Sequence, residues 1–185
     1  MSLEETRITT EPVYSGRLLH VRKDTVCLPN GQHSTREYIE HPGAAVILAR
    51  LPNGDILLER QFRYPLRQTF IELPAGKIDQ GETPLSAAKR ELREETGYAA
   101  ADADWRELGA FYPCIGYSDE KISVFFVRNV HPEGGQQLDD NEFLEIFTWP
   151  PERLHEAVRN GEITDGKTLS TLLLAEAAGV FDSDC

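Results

Sequence analysis

The chain has 185 residues, 40% of them hydrophobic and 27% charged, which suits one globular domain with room for a small extra lobe. Its formal net charge of −12 argues against an electrostatic nucleic-acid binder, yet permits a nucleotide substrate, because divalent cations bridge two anionic partners. No stretch approaches the roughly 18 apolar residues of a membrane span, and three scattered cysteines, Cys27, Cys114 and Cys185, form neither a disulfide framework nor a zinc pattern.

In chain order, the opening MSLEETRITT lacks the basic and then apolar run of a signal peptide, so a reducing cytoplasm is expected. Residues 8–40 alternate in places and carry a turn signal at Pro29–Gly31, which predicts one or two hairpins. AAVILARL (44–51) and DILLERQF (55–62) flank a second such turn at Pro52–Gly54 and are expected to pair, with AAVIL apolar enough to be buried on both faces. FIELPAG (70–76) reads as a strand, GKIDQGE (76–82) as a loop, and Thr83 followed by Pro84 as a helix start. That helix is expected to reach Thr96 and stop at Gly97. Strands follow at 105–112, 121–130 and 143–149, then helices over about 150–160 and 167–179. The mixture is α+β. Cys114 has no evident histidine partner, which leaves it a small loop residue, and Trp105 and Trp149 read as core or interface residues.

RELREETG (90–97) poses a physical problem. Glu91, Glu94 and Glu95 fall at i, i+3 and i+4, so they share a face, and like charges at that spacing destabilise a helix by about 0.2–0.5 kcal/mol per pair. They also crowd the last turn, where the helix dipole disfavours anions. Leu85, Ala88, Leu92 and Thr96 form the expected inner stripe, with Glu91 and Glu95 on its rim. A bound divalent cation reverses both penalties, and Mg²⁺ takes oxygen ligands of this kind.

From Gly76 the chain runs glycine, five residues, Glu82, seven residues, then Arg90-Glu91-Leu92-Arg93-Glu94-Glu95-Thr96-Gly97-Tyr98. This resembles the Nudix box, the signature of the Nudix hydrolase superfamily. The resemblance implies a Nudix α/β/α sandwich with a mixed sheet over about residues 43–178, preceded by an N-terminal antiparallel β extension. The implied division is 1–42 for the extension, acting in dimerisation, and 43–185 for the hydrolase domain. It implies Glu91, Glu94, Glu95, Glu82 and the Ala75 carbonyl as metal ligands, Mg²⁺ as cofactor with Mn²⁺ as a substitute, and Arg90 as the residue that fixes carboxylate rotamers. Arg90 and Glu94 are thereby counted with the catalytic residues. Gly76 and Gly81 would permit the tight backbone of the loop, and Leu92 is core.

Outside the box, REYIEHPGAAVIL (36–48), LERQFRYPLRQTFIELPAG (58–76) and GYSDEKISVFFV (116–127) resemble the ADP-ribose pyrophosphatase subgroup. Pro113, fifteen residues beyond Tyr98, has the spacing of that group's marker proline, although Cys114-Ile115-Gly116 stands where many members read S-P-G. The implied reaction is hydrolysis of ADP-ribose to AMP and ribose 5-phosphate by a homodimer. Arg63 could clamp a phosphate bidentately. Arg36 and Glu37 resemble positions that contact the adenine end across a dimer interface. A general base is implied in the acidic loop LDDNEFLE (138–145), where Glu142 has the reach and Asp140 is the runner-up. Asp139 and Glu145 are further candidates, Glu145 being expected within a strand. Other nucleoside diphosphate sugars, such as GDP-mannose or ADP-glucose, stay open as substrates. So do a non-catalytic ADP-ribose sensor, which the intact box disfavours, and a structural cation-binding module.

Overall fold

The computed structural model describes residues 2–138 and 143–182, which fall into two compact units, Met1–Pro42 with Tyr112–Lys121 and Gly43–Phe111 with Ile122–Cys185.

The first unit is an antiparallel sheet of β1 (Thr6–Ser15), β2 (His20–Cys27) and β3 (His33–Glu40), in that order. The turn expected at Pro29–Gly31 closes the β2–β3 hairpin, with Leu28 N–H donating to Gln32 O at 2.7 Å. All ten residues of β1 are exposed, and among the described residues of this unit only Asp24 and Val26 are buried. Segment 112–121 joins it through the edge of β3: Ile39 N–H donates to Tyr117 O at 2.8 Å, and His41 N–H to Asp119 Oδ1 at 2.8 Å.

The second unit contains β4 (Ala44–Ala49), β5 (Ile56–Arg63), β6 (Gln68–Glu72), β7 (Ala75–Lys77), α1 (Pro84–Thr96), β8 (Tyr98–Ala99), β9 (Trp105–Phe111), β10 (Ile122–Val127), β11 (His131–Pro132), β12 (Leu144–Trp149), α2 (Pro151–Arg159) and α3 (Gly166–Ala177). The central sheet has the order β7-β4-β10-β9, mixed because β4 and β10 run parallel while the outer pairs are antiparallel. Every residue of β4 is buried, as a strand covered on both faces requires. Ala45, Ile47 and Ala49 meet Ala87, Ala88 and Leu92 of α1, whereas Val46 and Leu48 join the cluster containing Leu154 of α2 and Leu172 and Ala175 of α3. Helices therefore sandwich the sheet, in the α/β/α arrangement expected. An antiparallel sheet, β12-β5-β6, completes the unit, with β8 and β11 forming a minor ladder.

One pairing departs from expectation. The chain turns at Pro52–Gly54, with Leu51 N–H donating to Asp55 O at 2.9 Å, but β4 and β5 pair only through the bridge Arg50–Ile56 and then enter different sheets. The turn signal is local, whereas β4 is claimed by the parallel partner β10 and by β7. The strand expected over 70–76 is divided into β6 and β7 by Leu73 and Pro74, and β7 runs on to Lys77, one residue into the expected loop, because its backbone pairs with Ala44–Val46.

Candidate active site

The catalytic-box helix starts and stops where its sequence predicts. Thr83 accepts from Ser86 N–H at 3.1 Å, and Ser86 Oγ accepts from Thr83 N–H at 2.9 Å, a reciprocal cap with serine in the usual glutamate place. Gly97 ends the helix in the left-handed conformation, its N–H donating to Arg93 O at 2.9 Å. The buried arc is Ala87, Ala88, Leu92, Glu95 and Thr96, which corrects the expected stripe at one end. Leu85, in the first turn, is 36% exposed and lines an open groove with Trp105 and Phe125 instead of entering the core. Glu95 goes the other way: it is 4% exposed, on the buried face and not its rim.

That burial has a purpose visible in the hydrogen bonds. Glu95 Oε2 accepts from Ala75 N–H at 3.0 Å. Next along β7, an ideal Cβ on Gly76 would lie 1.9 Å from the Glu91 carboxyl carbon, so the Glu91 carboxylate occupies the space a side chain would fill. Two carboxylates one helical turn apart thus touch the Ala75–Gly76 backbone.

Arg90 gathers the other acids. Its Nε and Nη2 hold Glu82 Oε1 and Oε2 at 3.0 and 2.9 Å, Nη1 reaches Glu91 Oε1 at 2.9 Å and Glu94 Oε2 at 3.0 Å, and Nη2 also donates to Lys77 O at 3.0 Å. Only a planar fork of five donors serves so many acceptors. These bonds, that to Glu82 foremost, raise the Arg90 pKa, and the Arg90 bond holds the Glu82 carboxyl below its ordinary range. The repulsion anticipated between Glu91 and Glu94 is therefore offset by Arg90, while Glu95 takes the Ala75 N–H.

No three His, Cys, Asp or Glu side chains among the described residues stand grouped as a ready cation cage. The donors that would suit a divalent ion are of mixed kind: the Glu91 and Glu95 carboxylates and the backbone carbonyl of Ala75, all hard oxygen donors. The glycine cradle at residue 76 leaves the Glu91 carboxylate room against that backbone.

The remaining sequence candidates lie elsewhere. Arg63, at the end of β5, directs Nε and Nη2 to Glu72 Oε1 and Oε2 at 2.8 and 2.6 Å, so the edge a bidentate phosphate clamp would use is already taken. Burial pushes the Glu72 carboxyl up, but the bonds from Arg63 and Lys167 outweigh it and leave the group below the ordinary range. Arg36 and Glu37 belong to the first compact unit: Arg36 forks onto Glu5, with Nε to Oε2 at 2.9 Å, and Glu37 stands opposite Lys23. Glu145 lies on β12 as expected and pairs with Arg60 at 3.1 Å. Asp139, Asp140 and Glu142 lie outside the described residues.

Residues 40–172 match the family model described as NUDIX domain. The chain belongs to the Nudix family. Residues 5–39 match a second model, the nucleoside diphosphate sugar hydrolase N-terminal domain. The chain is 40% identical over 168 residues to a protein of Bacillus subtilis (strain 168) named ADP-ribose pyrophosphatase, covering 90% of each. It is 36% identical over 167 residues to the methanol dehydrogenase activator of Bacillus methanolicus, covering 90% of this chain and 89% of the relative. A solved structure titled as an ADP compounds hydrolase has the same fold, with a TM-score of 0.84 over 99% of this chain and 98% of that one at 23% identity. Nudix hydrolases generally require a divalent metal ion, and the Nudix box of this chain is intact. Among the described residues no helix is long and apolar enough to cross a membrane.

Proposed function

We propose that this Nudix protein hydrolyses the pyrophosphate bond of ADP-ribose, giving AMP and ribose 5-phosphate, with Mg²⁺ as cofactor and Mn²⁺ as a substitute. The observation that carries the hydrolase reading is the seating of Glu91 and Glu95 against the Ala75–Gly76 backbone. The choice of ADP-ribose is supported by the name of the Bacillus subtilis relative and by the N-terminal match.

Glu91, Glu95, the Ala75 carbonyl, Glu94 and, through water, Glu82 would hold the metal. When bound, it neutralises pyrophosphate charge and lowers the pKa of attacking water. Ala75 N–H fixes the rotamer of Glu95, Gly76 leaves room for Glu91, and Arg90 holds Glu82, Glu91 and Glu94 in one array. In the reaction a water oxygen bonds to one phosphorus, the bridging P–O bond breaks, and a carboxylate takes the water proton. Glu142 is proposed for that proton, with Asp140 as runner-up, on the sequence of the acidic loop alone. Arg63 is proposed to meet substrate phosphate through Nη1, which faces away from its fork on Glu72.

The segment 1–42 is proposed to mediate a homodimer in which Arg36 and Glu37 reach the adenine end of the partner's substrate. Support comes from β1, exposed along its whole length, and from Ile8, Val13 and Tyr14 on it, each about half exposed, which a second copy would cover. A sedimentation measurement showing a fully active monomer at micromolar concentration would contradict this. A cytoplasmic location is proposed with it.

The test of substrate is product analysis with ADP-ribose, ADP-glucose and GDP-mannose in the presence of Mg²⁺. Preferred cleavage of ADP-ribose supports the proposal. Binding of ADP-ribose without cleavage would favour a sensor, and metal affinity without nucleotide binding a structural cation module.

A further inference from the structure

The four residues that lead into the site, Glu72 to Ala75, are tied down one by one, and two of the ties come from the first turn of α3. The Glu72 side chain, 2% exposed, receives the Arg63 fork and the Lys167 ammonium. Leu73 lies between β6 and β7, outside either ladder, and its N–H donates to Thr168 Oγ1 at 3.0 Å. Thr168 is fully buried, and its hydroxyl donates in turn to Asp165 Oδ2 at 2.7 Å. The same oxygen accepts from Thr168 N–H at 3.0 Å, as an N-cap does, and from Lys167 Nζ at 3.1 Å. Pro74 O accepts from Ile47 N–H at 2.9 Å, and Ala75 N–H then reaches Glu95.

A buried backbone N–H must find a partner or cost free energy comparable to a lost hydrogen bond. Between two short strands, Leu73 finds its partner in a side chain from elsewhere in the fold. Thr168 does so across 95 positions of sequence, with its own hydroxyl proton fixed by Asp165. Lys167 meanwhile seats the carboxylate one residue earlier, so the α3 N-terminus grips both Glu72 and Leu73.

We infer that Thr168 and Lys167 are positioning residues for hydrolysis: by holding Glu72 and Leu73 they set the Ala75 backbone, and through it the orientation of the Glu95 carboxylate. The inference rests on the reading of Glu95 as an active-site carboxylate. Neither residue need touch substrate.

Thr168→Val removes the hydroxyl at nearly constant volume, and Thr168→Ser keeps it. Two readouts are taken on protein verified as folded: amide exchange at Leu73 and Ala75 without metal, and steady-state kinetics on ADP-ribose with Mg²⁺. The expected result for Thr168→Val is exchange at both amides faster by about tenfold or more, since local opening governs exchange. kcat should fall about tenfold, with KM within about threefold, because small misplacements near the chemistry cost this much or more. Thr168→Ser should restore both. If Thr168→Val does not fold, Lys167→Met carries the same two measurements and the same expectation. Wild-type exchange at Ala75 with wild-type kcat in the folded variant would overturn the inference, as would a Thr168→Ser as impaired as Thr168→Val. If the wild type cleaves no ADP-ribose, the functional proposal fails, while exchange at Ala75 still decides this one.

Discussion

Gly76 and Glu91 exclude each other's side chains: a Cβ on Gly76 would lie 1.9 Å from Glu91 Oε1 as well as from its carboxyl carbon. Gly76 sits in extended β7 and is not among the glycines with positive φ, so an alanine there meets no backbone penalty, only the carboxylate. Gly81 is the converse case, with φ of 85° and open space around it. Gly76→Ala is therefore expected to displace the Glu91 carboxylate and lower kcat by roughly 10²-fold, the scale of an ångström-sized misplacement. Gly81→Ala, strained in φ but with no side chain in its way, should cost stability first, about 1 kcal/mol. Kinetics and thermal melting on both variants separate the two effects.

Arg90→Lys keeps a positive charge and loses the fork. A single ammonium cannot hold Glu82, Glu91, Glu94 and Lys77 O together as the guanidinium does. The expected outcome is a kcat reduced by roughly 10–100-fold, the range seen when an outer partner of metal ligands is lost, together with a weaker apparent affinity in a Mg²⁺ titration. Unchanged kcat and unchanged metal dependence would show that the carboxylates hold their places without the fork.

Glu72 gives a pH dependence with a definite sign. Its carboxyl lies below the ordinary value of 4.5 in the folded protein, so the unfolded chain binds its proton first as pH falls. The stabilisation is complete above about pH 4.5 and is lost as pH falls through the lower, folded value. Melting temperature against pH should therefore drop more steeply below pH 4.5 in the wild type than in Glu72→Gln, which has nothing to protonate there. Parallel curves would remove Glu72 from the account of acid lability.

The general base is tested by amides in the acidic loop. Glu142→Gln at saturating Mg²⁺ should lose roughly 10²–10⁴ in kcat. Near-normal turnover in Glu142→Gln with collapse in Asp140→Asn moves the role to Asp140, and near-normal turnover in both removes the loop from the chemistry.

The legible parts of this molecule were those written in short range. Thr83-Pro84 and Gly97 bracket α1 because caps and stops are local chemistry, and the spacing of Glu82, Arg90, Glu91, Glu94 and Glu95 carried the family. What sequence hid was long-range pairing. The turn at Pro52–Gly54 announces a hairpin, yet β4 is drawn into a parallel pair with β10, 78 residues away in register. Glu72, Lys167 and Thr168 carried no motif that pointed to one another. Asp165 caps α3 in the structure, but nothing in the sequence around that helix start reveals that its first turn would serve Leu73. Arg63 was legible as an arginine suited to a fork, and its partner, Glu72, became visible only through the β5–β6 register.

The most direct measurement incubates the wild type and Glu95→Gln with ADP-ribose and Mg²⁺ and identifies the products by chromatography. Glutamine at position 95 can still accept from Ala75 N–H, so the variant should melt within a few degrees of the wild type while losing the anionic oxygen. The account predicts AMP and ribose 5-phosphate in equal amounts from the wild type, and turnover lower by at least about 10²-fold in the variant, beyond what loss of an outer partner of a ligand costs. Absence of AMP from the wild-type reaction, or wild-type turnover by Glu95→Gln, would contradict it.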